Sequence, residues 1–426
     1  MSPPAQDRWI ILAGIPKVTK DKKAKRLFPP STDISVAGNE LPRASVLTVP
    51  FRISSPPCLH SHPYVAAADS SGLLLLLSTE PDGPMSSLVT YHLCDARTGG
   101  AVCLRKHGRP VGFHGINISL MTRDGGCVVA ELQPAGDGTG RATLLFYAVG
   151  EFRWVEKELA YSPPLHRYWV GECVVSHAGM LWWVDLSYGL LACDPFADDP
   201  ELLHVPLPPP VSDQLPERSP NLGAHRCVRV SGGRLRYVQI HGDVDAPVVS
   251  TWALSDPASA GNWNPEHRVA LADVWADESY LDTMLPGSIP AIALLHPRDP
   301  DRVYFFLGSC IFAVDLLRRK VVEFSKFKMP DPPNELFMRT SHSVHAWQYD
   351  PSSSRYDFVA KCLRQEKEIA PRSSWTAMII GCEPAKGMKR DRNDSIREQQ
   401  KVLRTGMSSY AWKKTLHEGH RCGQGT

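Results

Sequence analysis

The stretch Cys173–Pro208, CVVSHAGMLWWVDLSYGLLACDPFADDPELLHVPLP, is the most complete copy of a unit that recurs along the chain. It reads as a strand, a tight turn at Ala178-Gly179, a strand, a turn at Tyr188-Gly189, a strand, an acidic loop and a last strand. Four other stretches follow this plan with different letters: YVAAADSSGLLLLLS from Tyr64, INISLMTRDGGCVVAEL from Ile116, CVRVSGGRLRYVQI from Cys227 and AIALLHPRDPDRVYFFL from Ala291. Their second strands begin at Leu73, Cys127, Met180, Arg234 and Arg302, giving spacings of 54, 53, 54 and 68 residues. A period of that size marks a repeat architecture.

Each hairpin is followed by a third strand and a weaker fourth, so the unit is a four-stranded antiparallel meander. The inner strands do not alternate apolar with polar: Leu73 to Leu77 are all leucine, and Leu181, Trp182, Trp183 and Val184 run together. A sheet apolar on both faces must be covered on both. Stacking such sheets radially around a channel covers them and leaves only short edges. The expected fold is therefore an all-β propeller. Five blade repeats are visible over residues 64–328, and strands at 9–18, 43–53 and 343–349 are expected to combine into a sixth blade, with five or seven blades as alternatives. The 68-residue spacing is read as an insertion carrying one amphipathic helix, Ala272 to Leu285.

Composition agrees. There are 37 prolines in 426 residues, roughly 9% against a typical 5%, which disfavours long helices. The whole-chain charge of +2 is uneven: residues 17–26 hold six basic and one acidic side chain, residues 383–426 hold ten and five, and the remainder nets to −8. A mildly acidic body does not resemble a duplex-binding surface, which needs clustered Lys/Arg on a folded face. The expected organisation is one domain over residues 1–382, with a basic loop at 17–41, followed by a basic, mostly disordered tail at 383–426. Within that tail, Ser395–Arg404 with Asp394 as N-cap is a helical candidate. The first twenty residues lack a secretory pattern, and no run reaches the ~20 apolar residues of a membrane span. A cytoplasmic or nuclear location is expected, and the 11 cysteines read as reduced thiols.

Within Trp183–Pro208, the residues Trp183, Val184, Asp185, Leu186, Gly189, Leu190, Cys193, Asp194 and Pro195, then Val205, Pro206, Leu207 and Pro208, resemble the signature of a plant family, Domain of Unknown Function 1618, which is expanded in cereal grasses. Trp9-Ile10-Ile11-Leu12 and Ser343-Val344-His345-Ala346-Trp347 resemble its other landmarks. The resemblance implies kinship with the propellers that follow F-box domains in ubiquitin-ligase adaptors. It carries over no catalytic residue, and no F-box is visible here.

Candidate sites each have a plainer explanation. Cys58, His60 and His62 alternate and would share one strand face within reach of zinc, yet a fourth ligand is missing and a proline-flanked loop accounts for them. His417, His420 and Cys422 pose the same question in the tail. Asp194, Asp198, Asp199 and Glu201 offer calcium-type oxygens but fit no EF-hand spacing; Asp194-Pro195 reads as a turn. Gly136-Asp137-Gly138-Thr139-Gly140 lacks the Lys-Ser/Thr of a phosphate cradle and reads as a hairpin loop. Trp182 and Trp183 read as packing between blades rather than as a recognition platform, and Lys389-Arg390-Asp391-Arg392 as solvated tail rather than an import signal. No G-x-S-x-G, H-E-x-x-H or paired C-x-x-C occurs. The sequence thus assigns no catalytic, cofactor-binding or metal-ligating residue and no cofactor. The expected function is a non-enzymatic, monomeric, protein-binding module; the alternative is a hydrolase-like propeller whose residues converge at the channel mouth.

Overall fold

Five four-stranded antiparallel meanders follow one another along the chain. Blade 1 comprises Tyr64–Ala68, Leu73–Pro81, Ser87–Asp95 and Gly100–Cys103; blade 2, Ile118–Arg123, Gly126–Pro134, Arg141–Ala148 and Trp154–Ala160; blade 3, Cys173–His177, Met180–Asp185, Gly189–Cys193 and Leu203–Val205. Blade 4 comprises Arg226–Ser231, Arg234–His241, Val248–Leu254 and Trp263–Ala270, and blade 5, Ala291–Leu295, Arg302–Leu307, Cys310–Asp315 and Lys320–Lys326. The computed structural model describes residues 9–20, 32–57, 62–81, 87–104, 117–123, 126–151, 153–208, 222–255, 262–327 and 340–348. All lie in the first of two units, Met1–Ile369; the second, Ala370–Thr426, falls outside the described residues, as do the tail helix candidate and the import-signal candidate.

A sixth sheet departs from the meander plan. It joins Trp9–Ala13, Lys17–Thr19, Ser35–Ala37, Ala44–Pro50 and Val344–Gln348, five strands of mixed direction. Trp9–Ala13 runs parallel to Ala44–Pro50 and antiparallel to Val344–Gln348, in a register that pairs Trp9 with Gln348 and Ala13 with Val344. Two of its strands, Lys17–Thr19 and Ser35–Ala37, fall inside residues 17–41, where the sequence predicts a basic loop; each is only three residues long, too short for a periodicity signal.

The apolar runs are explained by where alternate side chains go. Leu73, Leu75 and Leu77 pack with Leu120, Val129 and Tyr147 of blade 2, while Leu74 and Leu76 pack with Leu12, Leu47 and Trp347 of the sixth sheet. Trp183 likewise joins the core shared with blade 2 and Trp182 the core shared with blade 4, both with no exposed surface. Each buried leucine of such a run contributes about 1.5–3 kcal/mol, so one charge in either direction would cost an interface. Six cores arise in this way, one between each pair of consecutive sheets. The innermost strands touch in a closed cycle, from Tyr64–Ala68 through Ile118–Arg123, Cys173–His177, Arg226–Ser231 and Ala291–Leu295 to Val344–Gln348 and back. This is a propeller ring around a central channel.

The turn at Ala178-Gly179 has positive φ at both residues, 51° and 76°, the backbone of a type I′ hairpin. The insertion after blade 4 is not one helix. Leu271–Trp275 and Glu278–Leu281 are separate, because Asp277 accepts the Ser279 N–H at 2.9 Å and starts a new helix where the first would continue. Among the described residues no helix is long and apolar enough to cross a membrane.

Candidate functional site

The innermost strands enclose a cavity of about 300 Å³ in the channel, lined by residues from all six sheets. Tyr64, Glu172, Cys173, Arg229 and His345 gather toward one end of it. In the strand Arg226–Ser231, RCVRVS, Arg229 stands between Val228 and Val230 and lies on the channel wall. The Arg229 Nη1 donates to Cys173 Sγ at 2.7 Å and to the Val228 carbonyl at 2.9 Å, and its Nη2 donates to the Ser341 carbonyl at 2.8 Å. The Cys173 thiol in turn donates to the Val228 carbonyl at 3.8 Å. A sulfur that gives its proton to a carbonyl is a thiol, and burial pushes its pKa up to about 11 although Arg229 opposes the shift.

Beside it, the Glu172 carboxylate meets the His342 imidazole, and Tyr64 donates its hydroxyl to the His342 carbonyl at 2.8 Å. His345 donates from Nε2 to the Val65 carbonyl at 2.7 Å; burial first, and the Arg229 charge second, lower its pKa to about 4, so the ring is neutral. Burial likewise pushes the Tyr64 phenol above its usual range. Two glycines let backbone close over this end. A Cβ on Gly14 would lie 2.9 Å from the His342 carbonyl oxygen and 2.9 Å from Tyr64 Cε2, and one on Gly223 would lie 2.9 Å from Glu172 Oε2. The short helix Leu222–His225 and the 3₁₀ turn Ser341–Ser343 pack on Ala291–Leu295 and on each other, and Gly223 and His342 bring both to Glu172. The cavity is therefore a cup. Its floor holds Tyr64, Glu172, Cys173, Arg229 and His345; Asp69, Ser70, Ser176, Pro297 and Gln348, from the far ends of the strands and the residues just beyond, line the rest.

The chemistry of this floor is specific. Among the described residues no carboxylate lies within 4 Å of the Arg229 guanidinium, and no hydroxyl or thiol is bonded to the His342 imidazole. The neutral thiol, phenol and imidazole leave Arg229 as the cationic donor facing the channel.

Sequence reading assigns none of these residues a functional role; Tyr64, Cys173 and His345 enter it only as parts of blade strands or of a family landmark. Arg229 is visible between Val228 and Val230 but shares its strand with Arg226, and Glu172 and His342 are 170 positions apart and meet only because the ring closes. The candidate sites of the sequence fall elsewhere. Cys58 and His60 lie outside the described residues, as do His417, His420 and Cys422; His62 is described, and burial lowers its pKa. Among the described residues no cluster of three or more metal-type ligands occurs. Asp194 is a turn former: it accepts the Phe196 N–H at 2.9 Å, two residues on, and pairs with Arg123 at 2.8 Å. Gly136, Gly138 and Gly140 have φ of 68°, 81° and 66° in the loop between two blade 2 strands. The signature residue Asp185 is wholly buried; both its oxygens are held by Arg167, at 2.8 and 3.0 Å, and it also accepts the Ser187 and Val170 N–H groups. Its role is to tie the loop before blade 3 to the blade.

Five meander blades and a sixth mixed sheet around a one-ended channel cup define the class: a β-propeller. A family model described as "Protein of unknown function (DUF1618)" matches residues 183–304, from the second strand of blade 3 into blade 5. No curated protein matches the chain. Among solved structures, the β-propeller domain of Cps50 (Swd1) from Myceliophteria thermophila is 12% identical, with 64% of this chain and 89% of that one aligned at a TM-score of 0.31. An α-L-arabinanase of Penicillium chrysogenum is 12% identical over 66% of this chain and 84% of its own, at 0.34. Sqt1 of Saccharomyces cerevisiae is 11% identical over 62% of each chain, at 0.32.

Proposed function

We propose that the chain is a non-enzymatic binding propeller, holding a protein partner through the loops of one face of the ring. The observation that carries this reading is the state of the channel groups. Cys173 is a protonated thiol, His345 is neutral and bonded to a carbonyl, and Tyr64 is spent on the His342 carbonyl. A nucleophile needs a base within reach, and among the described residues no hydroxyl or thiol is bonded to the His342 imidazole, whose Nε2 meets Glu172. In this reading the sixth sheet is the sixth blade, the family resemblance and its plant, F-box-associated kinship extend over the whole ring, and the protein acts as a monomer in cytoplasm or nucleus without nucleic acid, membrane or cofactor.

The test has two arms. Nitrophenyl esters, phosphates and glycosides are expected to turn over no faster with the full chain than with its His342→Ala variant; turnover that disappears in that variant would favour the hydrolase alternative and overturn this reading. In the second arm, affinity capture on the full chain is expected to retain a protein whose retention is lost on substituting the loops of one face. Retention unaffected on either face would count equally against it.

A further inference from the structure

The channel cup has a polarity that points to one kind of small ligand. Three of the five N–H groups that a guanidinium carries are engaged by Cys173 Sγ, the Val228 carbonyl and the Ser341 carbonyl, which fix the plane of the Arg229 fork. Two are left. The neighbouring thiol and imidazole are neutral, so they neither compete with an incoming anion nor repel it. The remaining wall is apolar where Leu120, Val175, Val230 and Leu294 line it. Two carboxylates also face the cup. Glu172 is held by His342, and Asp69 accepts from the Ser71 N–H and the Thr122 hydroxyl. Their charges repel a dianion more than a monoanion, whose single charge the adjacent guanidinium offsets.

We propose that the cup binds a monocarboxylate with an apolar body, its carboxylate seated on Arg229. A planar carboxylate matches the fork of a guanidinium in two parallel hydrogen bonds, and a cavity of about 300 Å³ is at the small end of ligand pockets. The body lies along the apolar wall toward Ser70 and Ser176. The site goes beyond the loop-borne partner, because it needs only residues inside the channel, and it stands or falls separately from that reading.

Isothermal titration calorimetry on the full chain tests it, with 3-phenylpropanoate as probe. The acid is expected to bind at one site per chain, and 3-phenylpropanamide and inorganic phosphate at least tenfold more weakly. Arg229→Gln is expected to lose tenfold or more. Ser176→Trp, at an exposed position on the wall, is expected to block binding without touching the arginine. Acid and amide binding alike, phosphate binding as well as the acid, or full affinity in either variant would overturn the proposal, as would no heat from the acid with the folded, unaltered chain. Should Arg229→Gln fail to fold, the acid–amide comparison and Ser176→Trp decide alone. A short apolar peptide with a free C-terminus, set against its amide, separates the sources: tighter binding than the small acid assigns the carboxylate to a partner's chain end, weaker binding to a free acid.

Discussion

Glu131 sits in the second strand of blade 2 with 2% of its surface exposed, inside the interface with blade 1. Its Oε2 accepts the Tyr91 hydroxyl at 3.2 Å and its Oε1 the Gln133 amide at 3.0 Å. Burial outweighs both bonds and raises its pKa from 4.5 to about 7. The folded chain therefore holds a proton that the unfolded chain releases, and stability falls as pH rises from about 4.5 to about 7. At 1.36 kcal/mol per pKa unit the whole loss is on the order of 3 kcal/mol, of which about 2.5 falls between pH 5 and 8. Glu131→Gln keeps the shape and removes the titration. His92, His296 and His345, each lowered to about 4 mainly by burial, act oppositely: they lose stability as pH falls from 6.5 toward 4. The difference between variant and parent cancels them. Urea unfolding followed by tryptophan fluorescence at pH 5 and 8 is expected to show the variant gaining about 2.5 kcal/mol on the parent over that span. A difference that stays constant with pH would refute the assignment.

Two further substitutions probe the interfaces by the same unfolding assay. Trp183→Ala, which empties a fully buried indole site and removes the 2.8 Å bond from its Nε1 to the Asn117 carbonyl, leaving that oxygen only the Leu132 N–H at 3.3 Å, is expected to cost about 3–5 kcal/mol. Glu266→Ala leaves the Arg236 guanidinium, 2% exposed and paired at 2.7 Å, without its carboxylate and is expected to cost a similar 3–5 kcal/mol, most of it recovered in the double variant Arg236→Leu/Glu266→Leu.

The blades were legible because an inner strand that serves two interfaces is apolar on both faces over most of its length, and such runs recur here at a regular spacing between glycine or aspartate turns. The same logic placed Trp182 and Trp183 on opposite cores. Legibility stopped at two kinds of feature. Strands of three residues, such as Lys17–Thr19 and Ser35–Ala37, carry less than two periods of alternation, and the helical spacing over 272–285 could not reveal that Asp277 would cap rather than continue. The cup was illegible for a different reason. Glu172, Arg229 and His342 are ordinary residues in their own strands and turns, and their combination exists only in the closed ring.

Closure and cup are in fact built by one segment, and a glycine exposes the dependence. Gly14 follows the strand that pairs with Val344–Gln348; its N–H donates to the Ser343 carbonyl at 2.8 Å, and its carbonyl accepts the Val65 N–H at 2.7 Å. It thus stitches the last strand to blade 1 beneath the cup. In Gly14→Ala the added methyl meets the His342 backbone oxygen at 2.9 Å, and backbone cannot swing aside as a side chain does. Overpacking of this kind costs about 1–3 kcal/mol. Gly223→Ala creates an equally short contact, 2.9 Å, but with the movable end of the Glu172 side chain, so its cost is expected to be smaller. Amide hydrogen exchange separates the two. In Gly14→Ala the Val65 amide and those of Val344–Gln348 are expected to exchange faster together, since one displaced backbone carries both; in Gly223→Ala they are expected to stay protected. Faster exchange in Val344–Gln348 with Val65 unchanged would mean that closure of the ring and the floor of the cup are separable after all.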